Sequence, residues 1–142
     1  MVINKITKKF DIISKIDEEC RGFFEWNKPL YLITDQDERS KEFIKQKKEY
    51  GFSDDETWSL DATIVIFILP RLKRFRDIIA DGAGYPADLT KDEWVSILNK
   101  MIEAFELMFK ECIDGYIITE DDQKKINQGL HLFADYFQAL WW

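Results

Sequence analysis

Apolar positions recur with helical spacing over most of the chain beyond residue 50. The clearest case follows Thr90, which forms a T-x-x-E capping box with Glu93 and opens a segment that Asp114-Gly115 ends. Apolar residues spaced three or four apart place one stripe on one helix face. That stripe comprises Trp94, Ile97, Leu98, Met101, Ile102, Phe105, Met108 and Phe109.

A further helix is predicted to begin at Thr119, with three acidic residues in its first turn. Its stripe has heptad-like spacing. Because the preceding loop is short, the two helices should pack antiparallel. The stripe comprises Ile126, Leu130, Phe133, Phe137 and Leu140. We expect Trp94, Leu98, Met101, Phe105, Phe133 and Phe137 to form the contact between the two helices.

An earlier helix should begin near Ser59 or Asp61, either of which could cap it. Leu60, Ile64 and Phe67 share one face, yet the segment is apolar nearly all round, which indicates a central core helix. A proline inside a helix removes a hydrogen bond and costs about 3 kcal/mol. Pro70 therefore predicts either a kink or a helix that stops at Leu69. Residues 81–86 read as a loop.

The first fifty residues are less regular. Residues 35–50 suggest a surface helix or a partly ordered arm, and Gly51 is a suitable C-cap. Residues 1–34 combine helical spacing with β-branched residues, and residues 30–34 read as a short strand or an extended arm. The fold class is all-α, a bundle of about four helices. We expect one domain over residues 1–142, with an N-terminal region at 1–50 and a helical core at 51–142.

Composition narrows the class of protein. The 142 residues are 46% hydrophobic, enough for a core, and the net charge of -7 makes direct nucleic-acid binding unfavourable. The apolar run of residues 62–69 is too short to span a bilayer, and no signal peptide is evident. Cys20 and Cys112 read as reduced thiols rather than a disulfide pair. These features predict a soluble, cytoplasmic protein without a membrane role.

Metal chemistry finds little support in the sequence. Di-iron bundles need Glu-x-x-His pairs, and Gln128 precedes the single histidine, His131, by three residues. Helical nucleotide pyrophosphohydrolases hold Mg²⁺ with acidic pairs on different helices. The pairs Glu103/Glu106 and Glu111/Asp114 match in letters but lie on one predicted helix. We predict no metal and no cofactor, and keep a metal-dependent nucleotide hydrolase as a minor alternative.

The sequence gives even less support for nucleophilic catalysis. Cys20 or Cys112 could in principle pair with His131, but no local motif supports a catalytic pair. Cys112 loosely continues the apolar stripe, which predicts a small core residue. His131 reads as a residue on a helix flank. We therefore assign no catalytic residue.

Five residues remain as candidates for a polar binding site. Arginine offers forked donors for phosphate or carboxylate, and aromatic rings can stack on a base. The functional interpretation is a pocket for a small anionic ligand or a face for a partner. The structural interpretation makes Asp61 a helix cap, places Trp58 in the core, and treats residues 71–76 as a solvated basic run. The candidates are Trp58, Asp61, Arg71, Arg74 and Tyr85.

The last three residues, Leu140, Trp141 and Trp142, are unusual because a four-helix core should already be full. Large aromatics are enriched in interface cores. Either they cover the N-terminal arm or they bury against a second subunit. We predict self-association, at least as a dimer, through this apolar end.

Four segments resemble a group of small proteins encoded by tailed phages and prophages: GFSDDETWSLD, LPRLKRF, GYPADLTKDEWVSILNKMIEAFE and GLHLFADYFQALW. The resemblance covers residues 51–141 and carries over no catalytic residue. It implies an accessory phage protein in the host cytoplasm. The leading hypothesis is a non-enzymatic protein that binds a host or phage macromolecule and counteracts bacterial defence. The alternative is a protein that sequesters a nucleotide-like signal.

Overall fold

The computed structural model describes residues 38–142, and these residues contain helices and no strand. The prediction of an all-α helical bundle is therefore confirmed. The expectations for residues 1–37 lie outside the described residues. The helices are α1 (Arg39–Tyr50), α2 (Asp55–Trp58), α3 (Leu60–Ala80), α4 (Lys91–Asp114) and α5 (Glu120–Asp135), followed by a 3₁₀ turn at Phe137–Ala139.

The chain divides into two compact units, and the boundary falls within α3, between Ile66 and Phe67. The single domain expected over residues 1–142 stays a prediction. In the first unit, α1 ends at Gly51, whose left-handed φ of 85° lets its N–H bond to the Lys47 carbonyl. The predicted C-cap is thus confirmed, because glycine adopts this conformation without a Cβ clash.

The start of α3 follows the prediction, since the Ser59 carbonyl accepts the Thr63 N–H at 3.1 Å. A stop at Leu69 is wrong, because the helix continues through the buried Pro70 to Ala80. A proline also disturbs carbonyls one turn earlier. The Arg71 guanidinium donates a 2.8 Å hydrogen bond to the Phe67 carbonyl there. Arg71 thus supports the backbone beside the proline.

The expected burial of α3 is only half right. Val65, Ile66 and Leu69 are buried. Three residues predicted on one core face are instead about half exposed: Leu60, Ile64 and Phe67. A segment that is apolar all round gives no period from which the buried face can be chosen, and here Val65 and Ile66 lie inward.

The predicted boundaries of α4 are confirmed at both ends. Thr90 accepts the Glu93 N–H at 3.2 Å, and the Glu93 carboxylate accepts the Thr90 N–H at 2.7 Å. The Thr90 N–H and the Thr90 hydroxyl both donate to this carboxylate, and these two bonds lower the pKa of Glu93 below its ordinary value. Gly115, with φ of 66°, closes the helix by donating to the Lys110 carbonyl. The buried stripe comprises Trp94, Leu98, Met101, Ile102 and Phe105.

Helix α5 has a second capping box, between Thr119 and Asp122. Hydrogen bonds from the Thr119 backbone and hydroxyl, and then from Tyr116, lower the pKa of Asp122. The same Tyr116–Asp122 hydrogen bond raises the pKa of Tyr116. The helix ends at Asp135, so the predicted stripe to Leu140 is wrong in its last two members, Phe137 and Leu140.

Helices α4 and α5 pack closely, as predicted. A Cβ added to Gly129 would lie 2.3 Å from the Ala104 Cβ, so only glycine permits this approach. The Phe105 and Phe133 rings meet edge to face at 5.3 Å between centroids. Phe105 is 3% exposed, whereas Phe137 is 60% exposed. The expected core contact is confirmed at Phe105 and wrong at Phe137.

The part of α3 beyond Ile66 packs against α4. Lys73 pairs with Glu106 at 2.8 Å, and Arg76 donates to Asn99 at 3.0 Å. Lys73 precedes Arg76 along α3, whereas Glu106 follows Asn99 along α4. The two helices therefore run antiparallel. None of the helices within residues 38–142 is long and apolar enough to cross a membrane.

Candidate functional site

Large apolar side chains are concentrated on the surface between residues 50 and 64. Scattered exposed apolar residues are ordinary on proteins, but five large ones within fifteen residues form an unusual concentration. Trp58 is the most exposed of them at 75%. We call this set the 50–64 apolar segment; it comprises Tyr50, Phe52, Trp58, Leu60 and Ile64.

Hydrogen bonds from α1 hold this segment in place. The Gln46 amide nitrogen donates to the Asp54 carboxylate at 2.9 Å, and its amide oxygen accepts the Asp54 N–H at 2.8 Å. Lys47 forms a 2.7 Å ion pair with Glu56, and both side chains are largely buried. The turn that carries Phe52 and leads to Trp58 is therefore fixed to α1 at two adjacent points.

A buried polar cluster stabilises the inner side of the same turn. Glu56 accepts the Ser53 N–H at 2.6 Å, and the Ser53 hydroxyl donates to the Asp55 carboxylate. The Thr63 hydroxyl donates to the Glu56 carbonyl at 2.7 Å, which joins the turn to the first turns of α3. Such partners compensate for the lost solvation of Glu56 on both of its oxygens, whereas one carboxylate oxygen of Asp55 is buried without a hydrogen-bond partner. The surface residues thus stand on a braced backbone.

Within this unit, the structure places Trp58 and Asp61 on the surface. Trp58 ends α2, so its predicted role in core packing is wrong. Asp61 lies in the first turn of α3 rather than at its cap, and it is exposed. The cause is the one-turn helix α2, which the sequence analysis missed. Both residues remain available to a partner.

The side chains of the basic run in the second unit have different surroundings. Lys73 and Arg76 serve the α3–α4 packing through Glu106 and Asn99. The Arg71 guanidinium carbon lies 3.9 Å from the centroid of the Phe67 ring, a cation–π contact. Arg71 is exposed. Its interaction with Phe67 shows that this candidate also has a structural task.

Arg74 differs from the rest of that run. It is half-buried, and its Nε atom is buried without a hydrogen-bond partner. A buried donor without an acceptor costs about 1–3 kcal/mol, so such atoms call for an explanation. Tyr85 is exposed in the loop after α3. More than two helical turns separate Arg71 from the end of α3, so the sequence places Tyr85 well beyond the arginines.

A second exposed apolar surface follows α5. Phe137, Trp141 and Trp142 are all at least 60% exposed, whereas Leu140 is half-buried. We call Phe137, Trp141 and Trp142 the C-terminal aromatic patch. Backbone hydrogen bonds from Ala139 to Tyr136 and from Trp141 to Ala139, both 2.9 Å long, fold these residues into a tight turn.

Aromatic rings anchor that turn to the core. The Phe137 ring lies 5.6 Å from Phe133, which in turn contacts Phe105. Tyr136 packs on the fully buried Trp94 at 5.3 Å. Aromatic pairs at these distances contribute about 0.5–1.5 kcal/mol beyond area burial. The patch therefore sits on a fixed base, although sequence analysis had placed Phe137 in the core.

The residues considered for metal or nucleophilic chemistry have structural surroundings. Glu106 pairs with Lys73, and Glu103 pairs with Lys125 at 3.3 Å. No cluster of three or more metal-binding side chains occurs within residues 38–142. Cys112 is exposed rather than a core residue, because the apolar stripe of α4 has turned away from it, and its thiol donates to the Phe109 carbonyl.

No protein-family model matches the chain, and neither does any curated protein or solved structure. The surfaces must therefore be interpreted from their own chemistry. Most of the 50–64 apolar segment was missed from the sequence, since only Trp58 had been selected. A usable signal was present for Leu60 and Ile64, because a helix that is apolar all round has more apolar faces than one stripe, and any face that the core does not cover lies on the surface.

Proposed function

We propose that this chain is a non-enzymatic binding protein that engages a macromolecular partner through the 50–64 apolar segment. The observation that carries this proposal is five large, exposed apolar side chains on and beside a turn that contacts of Gln46 and Lys47 fix to α1. Binding energy in protein interfaces is concentrated in a few aromatic anchors, of which tryptophan is a preferred one. Trp58 is the proposed anchor.

The bracing matters for affinity. Ordering a flexible side chain on binding costs about 0.5–1.5 kcal/mol, and a segment that is already ordered avoids part of this cost. The Gln46–Asp54 and Lys47–Glu56 contacts supply that order before a partner arrives. These contacts support a surface built for recognition.

The charge around the segment indicates the chemistry of the partner. Asp54 and Asp61 are exposed beside the apolar residues of the turn and of α3. Lys48 is exposed beside Tyr50, and the whole chain carries -7. Complementary potentials favour encounter with a positively charged surface. The proposed partner is a protein with an apolar patch bordered by lysine or arginine.

The resemblance of residues 51–141 to phage-encoded proteins extends the proposal. On that basis the partner is a host or phage protein in the bacterial cytoplasm, and the role is to counteract bacterial defence. The resemblance supports the setting, and the 50–64 apolar segment supports the binding mode.

The test is an affinity capture from host lysate followed by mass spectrometry. Trp58→Ala should lose the captured protein, because it removes the anchor. Trp141→Ala is the matched control, since Trp141 is 74% exposed and Trp58 is 75% exposed. It should retain the captured protein. Equal capture by both variants would contradict the proposal.

One observation favours a second candidate, the sequestering of a small anionic ligand such as a nucleotide. The buried Nε of Arg74 lacks an acceptor, and Arg71 lies one turn away with its guanidinium on Phe67. A phosphate could supply the missing acceptor. Mass spectrometry of small molecules released on denaturation tests this candidate. Arg74→Lys keeps the charge but loses the fork, so it should weaken binding of the released compound.

A further inference from the structure

We infer that the C-terminal aromatic patch is the contact surface of a homodimer, formed by two copies of this chain around a two-fold axis. The inference is independent of the partner proposed for the 50–64 apolar segment. It rests on the exposure of Phe137, Trp141 and Trp142 and on the fixed turn that presents them.

The exposed area is of the size of a weak dimer contact. Phe137, Trp141 and Trp142 are 60%, 74% and 62% exposed. Since aromatic side chains carry roughly 150–250 Å² each, about 400 Å² stays uncovered on each copy. Two copies supply about 800 Å² from these side chains alone. This total lies below the standard size of specific interfaces, about 1,200–2,000 Å², and in the range of weak, transient contacts.

The charge pattern favours a second copy over a foreign partner. Lysine, arginine, aspartate and glutamate make up 33% of the chain, yet between Asn127 and Trp142 the only one of them is Asp135. Interface cores are depleted of charge, and an uncharged aromatic patch offers no charge with which to select a different protein. A two-fold contact needs only one self-complementary patch, which every copy provides.

The aromatic base beneath the patch makes the contact geometry reproducible. Phe137 rests on Phe133, and Tyr136 rests on Trp94, so the turn keeps its position relative to α4 and α5. The proposed contact thus differs in its residues from the one predicted from the sequence. Phe137 joins Trp141 and Trp142 as a main contributor, and the half-buried Leu140 contributes less than the sequence suggested.

Light scattering coupled to gel filtration, from 1 to 200 µM protein, tests the inference. The wild-type chain should elute with twice its mass of 16.9 kDa at the upper concentrations. The double variant Trp141→Ala/Trp142→Ala should raise the dimer dissociation constant at least tenfold. Trp58→Ala, a tryptophan of similar exposure outside the patch, should leave it unchanged.

A second variant preserves the test if the double variant folds poorly by circular dichroism. Gln138 is exposed within the same turn, so Gln138→Glu would add a negative charge to both copies without removing an aromatic ring. We expect it to weaken the dimer and added salt to restore it, because salt screens the repulsion. In the wild type, salt should also strengthen association, since each copy carries -7.

Either of two light-scattering results would overturn the inference. A wild-type monomer at 200 µM would do so, and so would a dimer that survives both the double variant and Gln138→Glu. Zwitterionic lipid vesicles test whether the patch binds a membrane surface instead of a second copy. Flotation of a monomer with those vesicles, lost in the double variant, would assign the patch to lipid and contradict the dimer.

Discussion

Helices α3 and α4 are both long and rich in apolar residues, yet they use those residues differently. Helix α4 has a clean stripe, and Trp94, Leu98, Met101 and Phe105 are all buried. Helix α3 is apolar on nearly every face, and Leu60, Ile64 and Phe67 stay about half exposed. In α4 the amphipathic period identifies the residues that form the core. In α3 the apolar residues beyond one stripe lie on the surface, where they can contact a partner.

The largest contrast should appear when a phenylalanine is removed from each helix. Phe105→Ala should lower the free energy of unfolding by about 3–5 kcal/mol, because it leaves a cavity beside Phe133. Phe67→Ala should cost less than about 1 kcal/mol, because that ring is half exposed. Urea denaturation measures both. Similar losses of stability in the two variants would contradict the different roles of the apolar residues in α3 and α4.

The brace beneath the 50–64 apolar segment can be removed at Glu56. Glu56→Ala should destabilise the protein by about 3–5 kcal/mol, because it leaves buried Lys47 and the Ser53 N–H without their carboxylate. Glu120→Ala removes the same charge from an exposed pair with Lys124 and should cost less than about 0.5 kcal/mol. Thermal melts in parallel decide this, and a Glu56→Ala melt like that of wild type would refute the brace.

Close packing of α4 on α5 can be tested by adding one methyl group. Gly129→Ala should cost about 1–3 kcal/mol, because the new Cβ would lie 2.6 Å from the Lys100 carbonyl oxygen. Gly84→Ala meets open space and should be nearly neutral. Denaturant midpoints measure the difference. A neutral Gly129→Ala would show that the two helices are less tightly packed.

The smallest effect concerns pH. The pKa of Asp122 is lowered by Thr119 and Tyr116, so its ionised form contributes stability above its unfolded pKa of about 4 and loses it as the pH falls through the folded value. Asp122→Asn should therefore flatten the fall in melting temperature between pH 5 and pH 2. Asp121→Asn, in the same turn, should change that slope less. Equal slopes for the two variants would contradict the cap.

Local chemistry explains which features could be predicted. The Thr90 box, the Gly51 and Gly115 caps and the start at Thr119 depend on residues within one turn, and the sequence specifies them. The all-α class followed from the same spacing. Long-range contacts were not accessible in this way.

The features that could not be predicted from the sequence depend either on partners that are distant in sequence or on where a helix ends. The ion pair of Lys47 with Glu56 spans a turn that no periodicity describes. Phe137 follows the stripe of α5 but lies beyond its end at Asp135. Cys112 follows the stripe of α4 only loosely and faces solvent. The exposed members of α3 could be suspected from its uniform apolar character, but their identity required packing.

The central claim is that the exposed apolar residues between 50 and 64 bind a partner rather than stabilise the fold. The most direct measurement is the calorimetric affinity of the purified captured partner for Trp58→Ala, with Trp141→Ala as the reference. Trp58→Ala alone should lose about 2 kcal/mol of binding free energy, or roughly thirtyfold in affinity, at an unchanged melting temperature. An unchanged affinity together with a lowered melting temperature would contradict the claim.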